Sequence, residues 1–166
     1  MKLSQLLGQD DFVLGLPSRK KRCALEAVAA EFGSRTGRRE GEVLNVLLRR
    51  ERLGSTATGD GLAIPHALFG GISAPVAVIA TMKHPVSFDA PDEGDVDLLL
   101  GVLWPCDSTG GFLLTLSQSS RLLRQHGYRE CLRGAASPAE AHAGIEALEA
   151  GSGGSLRSAV SIGPKT

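Results

Sequence analysis

A chain of 166 residues, 42% apolar and 22% charged, is long enough to bury a substantial core in one domain without disulfides or metals. Its 18 basic and 18 acidic residues cancel, which argues against nucleic acid or an anionic membrane as the main partner. No apolar run approaches the length of a membrane span, and Cys23, Cys106 and Cys131 form no CxxC pair, so they are expected as buried or half-buried free thiols.

Met1 to Asp10 lacks the charged-then-apolar pattern of a signal peptide, so a cytoplasmic location is expected. Ser18 is positioned to cap a first helix. Leu25, Val28, Ala29 and Phe32 fall at i, i+3, i+4 and i+7 along it, and Gly33 is a stop signal. A second helix is predicted from about Glu40 to Arg52, with Val43, Leu44, Leu47 and Leu48 as its apolar stripe and Gly54 beyond its end. Residues 55–61 read as a turn and Leu62 to Ile64 as a short strand.

Val76 to Met82 and Val96 to Trp104 are almost wholly apolar, as strands covered on both faces should be. Pro85 to Ala90 reads as a brief or bulged strand between them. Asp107 to Gly111 looks like the entry to an amphipathic helix carrying Phe112, Leu113, Leu116, Ser120 and Leu123. A short helix is predicted over Tyr128 to Arg133. Another starts at Ser137-Pro138, with proline in its first turn, and runs to about Glu149.

Interleaved helices and strands predict a single α/β domain over residues 1–150, a mixed β-sheet flanked by helices on both faces. The Gly/Ser-rich change of composition predicts a disordered C-terminal tail over 151–166.

The most informative stretch is Gly59-Asp60-Gly61-Leu62-Ala63-Ile64-Pro65-His66-Ala67. Proline donates no hydrogen bond, so strand pairing weakens at Pro65 and His66 is presented at a rigid strand end. A neutral imidazole is a nucleophile, and Arg50 and Ser55-Thr56 lie just upstream. His84 reads as a loop residue, and His126 and His142 as solvated helix residues. Asp92, Glu93, Asp95 and Asp97 read as a turn rather than a calcium loop. There is no Walker loop, dinucleotide fingerprint or short-spaced metal-ligand motif, so no cofactor and no metal are expected.

Several blocks together resemble one family. They are Ser18-Arg19-Lys20-Lys21-Arg22 with Leu25-Glu26, Arg50-Glu51-Arg52-Leu53-Gly54-Ser55-Thr56 and Gly61-Leu62-Ala63-Ile64-Pro65-His66. Pro85-Val86-Ser87-Phe88-Asp89-Ala90, Val96-Asp97-Leu98-Leu99 and Thr115-Leu116-Ser117 complete the set. Over about residues 12–148 the chain is similar to EIIA domains of the bacterial phosphotransferase system, of the fructose/mannitol/nitrogen type. Its Gly-Ser-Thr turn, its Lys-Lys-Arg helix start and the absence of a fused transport component favour the nitrogen-regulatory branch.

The resemblance implies a phosphohistidine at His66, loaded by a phosphorylated HPr-like carrier. It also implies a regulatory role exercised by binding other proteins, as a phosphocarrier rather than a free-standing enzyme. Arg50 is the candidate for stabilising the phosphoryl oxygens, because its planar fork and permanent charge suit a phosphate. Ser55 and Thr56 are candidate hydroxyl donors. Thr109, Gly110 and Gly111 open a helix whose N–H groups suit an anion.

The chain departs from the family at Phe112, where a second histidine is usual, and at Ala67, where glycine is usual. A phenylalanine carries no charge and donates no hydrogen bond, so slower transfer is expected. Two other readings remain. One is a fructose- or mannitol-type component passing phosphate to EIIB. The other is a phosphorylation-independent binding module that docks through the arginine-rich second helix and Phe112/Leu114. Neither nucleic acid nor membrane insertion is expected.

Overall fold

The computed structural model describes residues 2–152. A short helix α1 (Leu3–Leu6) and a 3-10 turn (Gln9–Asp11) lead into β1 (Phe12–Leu16), followed by α2 (Lys21–Thr36) and α3 (Glu40–Arg52). Three short strands come next: β2 (Ala57–Gly59), β3 (Leu62–Ala63) and β4 (His66–Phe69). The long strands β5 (Val76–Val86) and β6 (Val96–Pro105) precede α4 (Phe112–Leu123), α5 (His126–Gly134) and α6 (Pro138–Ser152). Among the described residues no helix is long and apolar enough to cross a membrane.

The sheet runs in the order β1-β5-β6-β3-β2, and β4 pairs with β6 beyond the end of β3. It is mixed: β1/β5, β3/β6 and β4/β6 are parallel, while β5/β6 and β2/β3 are antiparallel. The period-two alternation of strand side chains divides β6 between two cores. Leu99 and Leu103 face α2 and α3, whereas Leu98, Leu100, Val102 and Trp104 face α1 and α4 to α6. That explains why β5 and β6 carry no apolar/polar alternation in the sequence.

The α/β fold with helices on both faces is as expected, and α3 has the predicted limits. Other elements differ. The first helix starts at Lys21, after Lys20 rather than at a Ser18 cap, and runs past Gly33 to Thr36. Gly37 ends it in a left-handed conformation at φ 67°, its N–H donating to the Gly33 carbonyl at 2.9 Å. Residues 57–59 are a strand, not part of a turn, because their backbone pairs with Leu62–Ala63. The expected Val76–Met82 strand extends through Val86 as β5, taking in Pro85 and Val86, whereas residues 87–90 of the expected Pro85–Ala90 segment lie outside any strand. The register of β5 against β6 shifts between Thr81 and Val86, and that irregularity accommodates Pro85. The predicted tail 151–166 lies outside the described residues except for 151 and 152, which continue α6.

The segment around Pro65 differs most usefully. β3 and β4 are two halves of one edge along β6, in register as Leu62↔Leu98, Ala63↔Leu99 and then His66↔Val102. Between them Ile64 N turns aside to the Thr56 carbonyl at 2.9 Å, and Pro65 contributes only its carbonyl, which accepts from Val102 N at 2.9 Å. His66 therefore begins a new strand instead of ending one.

In the middle of β6, Gly101 allows α2 to approach the sheet. A Cβ there would lie 2.7 Å from Val28 Cγ1 and 3.0 Å from Phe32 Cζ. Both neighbours are fully packed, so neither can move cheaply. Gly101→Ala is expected to destabilise the fold by roughly 1–3 kcal/mol. Urea unfolding should show this as a lower midpoint with an unchanged slope.

Candidate functional site

The site forms where the C-terminus of α3 meets the β3/β4 break. His66 Nδ1 lies 2.7 Å from the Ile64 carbonyl oxygen, and Arg50 Nε lies 3.0 Å from His66 Nε2. A carbonyl only accepts and a guanidinium only donates, so the two bonds fit one tautomer: hydrogen on Nδ1 and a lone pair on Nε2. Burial pushes the His66 pKa below its usual value, and the Arg50 charge acts the same way, against the opposing effects of the Ile64 hydrogen bond and of Glu51. The ring is therefore neutral near neutral pH, with its lone pair directed at a cation.

Arg50 is held from its other end as well, since Nη1 donates to the Gly54 carbonyl at 3.0 Å. An open cleft of about 270 Å³ adjoins the pair, lined by Arg50, Thr56, Thr58 and His66 on one side and by Leu116, Ser117 and Ser120 of α4 on the other. Phe112 completes the surroundings. Its ring sits between His66, edge-on with centroids 5.8 Å apart, and Trp104, at 5.7 Å. Trp104 Nε1 in turn donates to the Ser108 carbonyl at 2.7 Å, which ties down the turn before α4.

The other predicted residues are placed as follows. Ser55 and Thr56 line the cleft, but both hydroxyls are engaged. Ser55 Oγ donates to the Phe88 carbonyl, and Thr56 Oγ1 donates to Glu51 Oε2 at 2.6 Å. Thr109, Gly110 and Gly111 are exposed at the N-terminus of α4, and Phe112 is the residue through which that segment meets the imidazole.

Elsewhere, His84 lies in β5 rather than in a loop, 3.3 Å from Arg19 Nη2. His142 is partly buried, with Nε2 3.1 Å from the Leu7 carbonyl, because α6 packs on the N-terminal segment. Cys131 is partly buried, as expected, whereas Cys23 and Cys106 are exposed, against the expectation. Asp92 acts as a turn residue, accepting from the N–H groups of Asp60 (2.9 Å) and Gly94 (3.1 Å).

Two residues next to the site were not singled out by sequence reasoning. Glu51 is 9% exposed and pairs with Lys21 Nζ at 2.7 Å, and Lys21 also reaches Asp89 at 3.1 Å. Burial acts to lower the Lys21 pKa, but its hydrogen bonds to the two carboxylates outweigh that and the net shift is upward. A signal existed for both. Glu51 follows Val43 by eight residues and Leu47 by four, and Lys21 precedes Leu25 by four and Val28 by seven. Each charge occupies the buried stripe of its helix, which requires a partner.

Residues 3–147 match the family described as "Phosphoenolpyruvate-dependent sugar phosphotransferase system, EIIA 2". The chain is 35% identical over 153 residues to a nitrogen regulatory protein of Klebsiella oxytoca, spanning 92% of this chain and 93% of that one. It is 33% identical over 133 residues to a nitrogen regulatory protein of Bradyrhizobium diazoefficiens, spanning 80% and 87%. The crystal structure of nitrogen regulatory protein IIA-Ntr from Neisseria meningitidis has the same fold, with a TM-score of 0.80 and 30% identity over 86% of this chain and 98% of that one.

The half-buried, arginine-bonded ring predicts a ¹⁵N NMR titration of His66 with its midpoint below about 6.5 and the Nδ1–H form above it. The unfolded chain takes up this proton first as pH falls. His66 therefore withdraws stability as the pH drops below about 6.5, and not above it. Urea unfolding of wild type and His66→Gln across that range reads the difference.

Proposed function

The chain belongs to the EIIA 2 family of the phosphoenolpyruvate-dependent sugar phosphotransferase system, and within it is IIA-Ntr-like. On that premise we propose that His66 accepts a phosphoryl group on Nε2 from a phosphohistidine carrier of the HPr type. Its phosphorylation state then governs which regulated proteins the chain binds. The observation that carries this reading is the Ile64–His66–Arg50 hydrogen-bond line, which leaves one unprotonated ring nitrogen facing one guanidinium.

The chemistry follows from that line. The Nε2 lone pair attacks phosphorus, the carrier's P–N bond breaks, and its electron pair returns to the carrier's imidazole. No proton leaves Nε2, because none is there, and the proton on Nδ1 stays on that nitrogen, hydrogen-bonded to the Ile64 carbonyl. As the P–N bond forms, Nε2 ceases to accept from Arg50. The freed N–H groups then turn to the equatorial oxygens while Nη1 remains near Gly54. Phosphoryl transfer needs little more than such positioning and positive charge.

Phe112 favours the regulatory over the transport reading. An apolar ring against the imidazole offers no donor to a departing phosphoryl group. That suits a site that holds its phosphate rather than handing it on rapidly to EIIB. The curated relatives aligned over most of the chain carry nitrogen-regulatory names, which supports the same choice.

Incubation with enzyme I, an HPr-like carrier and phosphoenolpyruvate should add the mass of one phosphoryl group, and His66→Ala should abolish the gain. Arg50→Met is expected to slow uptake on the order of 10²-fold, and Phe112→His to speed onward transfer. An absence of mass gain with every carrier tried would leave a binding module in place of a phosphocarrier.

A further inference from the structure

The hydrogen bonds around His66 form a closed circuit. Glu51 accepts from Thr56 N at 3.1 and 3.3 Å and from Thr56 Oγ1 at 2.6 Å. The Thr56 carbonyl accepts from Ile64 N at 2.9 Å, and the Ile64 carbonyl from His66 Nδ1 at 2.7 Å. His66 Nε2 accepts from Arg50 Nε at 3.0 Å, and Arg50 Nη1 donates to the Gly54 carbonyl at 3.0 Å. Gly54 N donates to the Glu51 carbonyl at 3.2 Å, and the path has returned to its origin.

We propose that Glu51, with Lys21 as its counter-ion, is the positioning residue of this site. It sets the separation between the helix end that carries Arg50 and the Ile64–His66 segment, and with it the imidazole tautomer. The proposal rests on His66 being the phosphoryl acceptor.

Three features single out Glu51. Its buried carboxylate is the side-chain link through which the end of α3 holds the residue 56 backbone, whereas Thr56 to Ile64 and Gly54 to Glu51 are backbone bonds. Lys21 secures Glu51 from α2 and also donates to the Phe88 carbonyl at 3.3 Å, which Ser55 Oγ bonds as well. The turn carrying Ser55 and Thr56 is thus gripped from two sides. Finally, phosphorylation of Nε2 opens the circuit at the Arg50–His66 bond alone. The path Glu51–Thr56–Ile64–Nδ1 survives and keeps the ring oriented in both states, which limits reorganisation during transfer.

The test compares wild type, Glu51→Ala, Glu51→Gln and Thr56→Val, each checked for folding by circular dichroism and thermal melting. The readouts are the His66 ¹⁵N tautomer signature and the rate of phosphorylation by phosphoramidate, a small donor that needs no docking surface. Glu51→Ala is expected to mix the two tautomers and to slow phosphorylation roughly 10–100-fold, the usual cost of losing such a support. Glu51→Gln, whose amide oxygen still accepts from Thr56, should recover most of both. Should Glu51→Ala not fold, Thr56→Val decides, with a partly mixed tautomer and a slower rate expected.

A folded Glu51→Ala protein that keeps the wild-type tautomer and rate overturns the proposal. So does a Thr56→Val protein unchanged in both when Glu51→Ala cannot be studied. The tautomer measurement uses no phosphoryl donor. A wild-type protein that takes up no phosphate from phosphoramidate or from any carrier would therefore refute the acceptor reading while leaving the positioning role separately decided.

Discussion

A carbonyl oxygen released from the sheet is what the rest of the site depends on. In an unbroken strand the Ile64 carbonyl would belong to a ladder. Pro65 lacks an N–H, the β3/β4 edge breaks beside it, and Ile64 turns its own N–H to Thr56. Its carbonyl then accepts from His66 Nδ1, two residues on. That single bond decides which ring nitrogen holds the proton, and so which one is left for chemistry.

The site also needs both layers of helices, and only an edge of the sheet lets them meet. Ala67 and Phe69 of β4 pack into the core under α2 and α3, while His66 meets Phe112 of α4. Arg50, from the C-terminus of α3, reaches the same imidazole from the other layer. Close packing elsewhere makes this meeting reproducible. Gly101 lets α2 settle onto β6, α3 packs beside α2, and the end of α3 is thereby located relative to β4. An error in that helix docking would move the guanidinium away from the ring without breaking any local structure.

Charge at the site is arranged in two tiers. Arg50 meets the neutral imidazole, with no carboxylate between them. Behind it, Glu51 and Lys21 neutralise each other across the α2/α3 interface. With a side-chain exposure of 6%, Glu51 would keep only neutral donors from Thr56 if Lys21 were lost, whereas Lys21, 23% exposed, would still be paired with Asp89 if Glu51 were lost. The arginine is thus left without a competing anion in its contacts with His66 and Gly54.

Much of this was legible in the residue order. The stripes of α2 and α3, the doubly covered strands β5 and β6, and the block from Arg50 to His66 are local or periodic signals, and they led to the fold class and to the Arg50–His66 pair. Glu51 and Lys21 were legible in principle, as charges set on buried stripes, but their meaning depends on two helices facing each other. The strands β1, β2 and β4 were not legible, because each is short and acquires its identity from the strand it pairs with. The hydroxyls of Ser55 and Thr56 read as free ligands in the sequence, and only the fold shows them bonded to Phe88 and Glu51. The sequence by itself determined which chemical groups are present and that proline would interrupt the strand. Tertiary structure alone decided which nitrogen of His66 keeps its proton and which cation faces the other, because both depend on contacts between segments far apart in the chain.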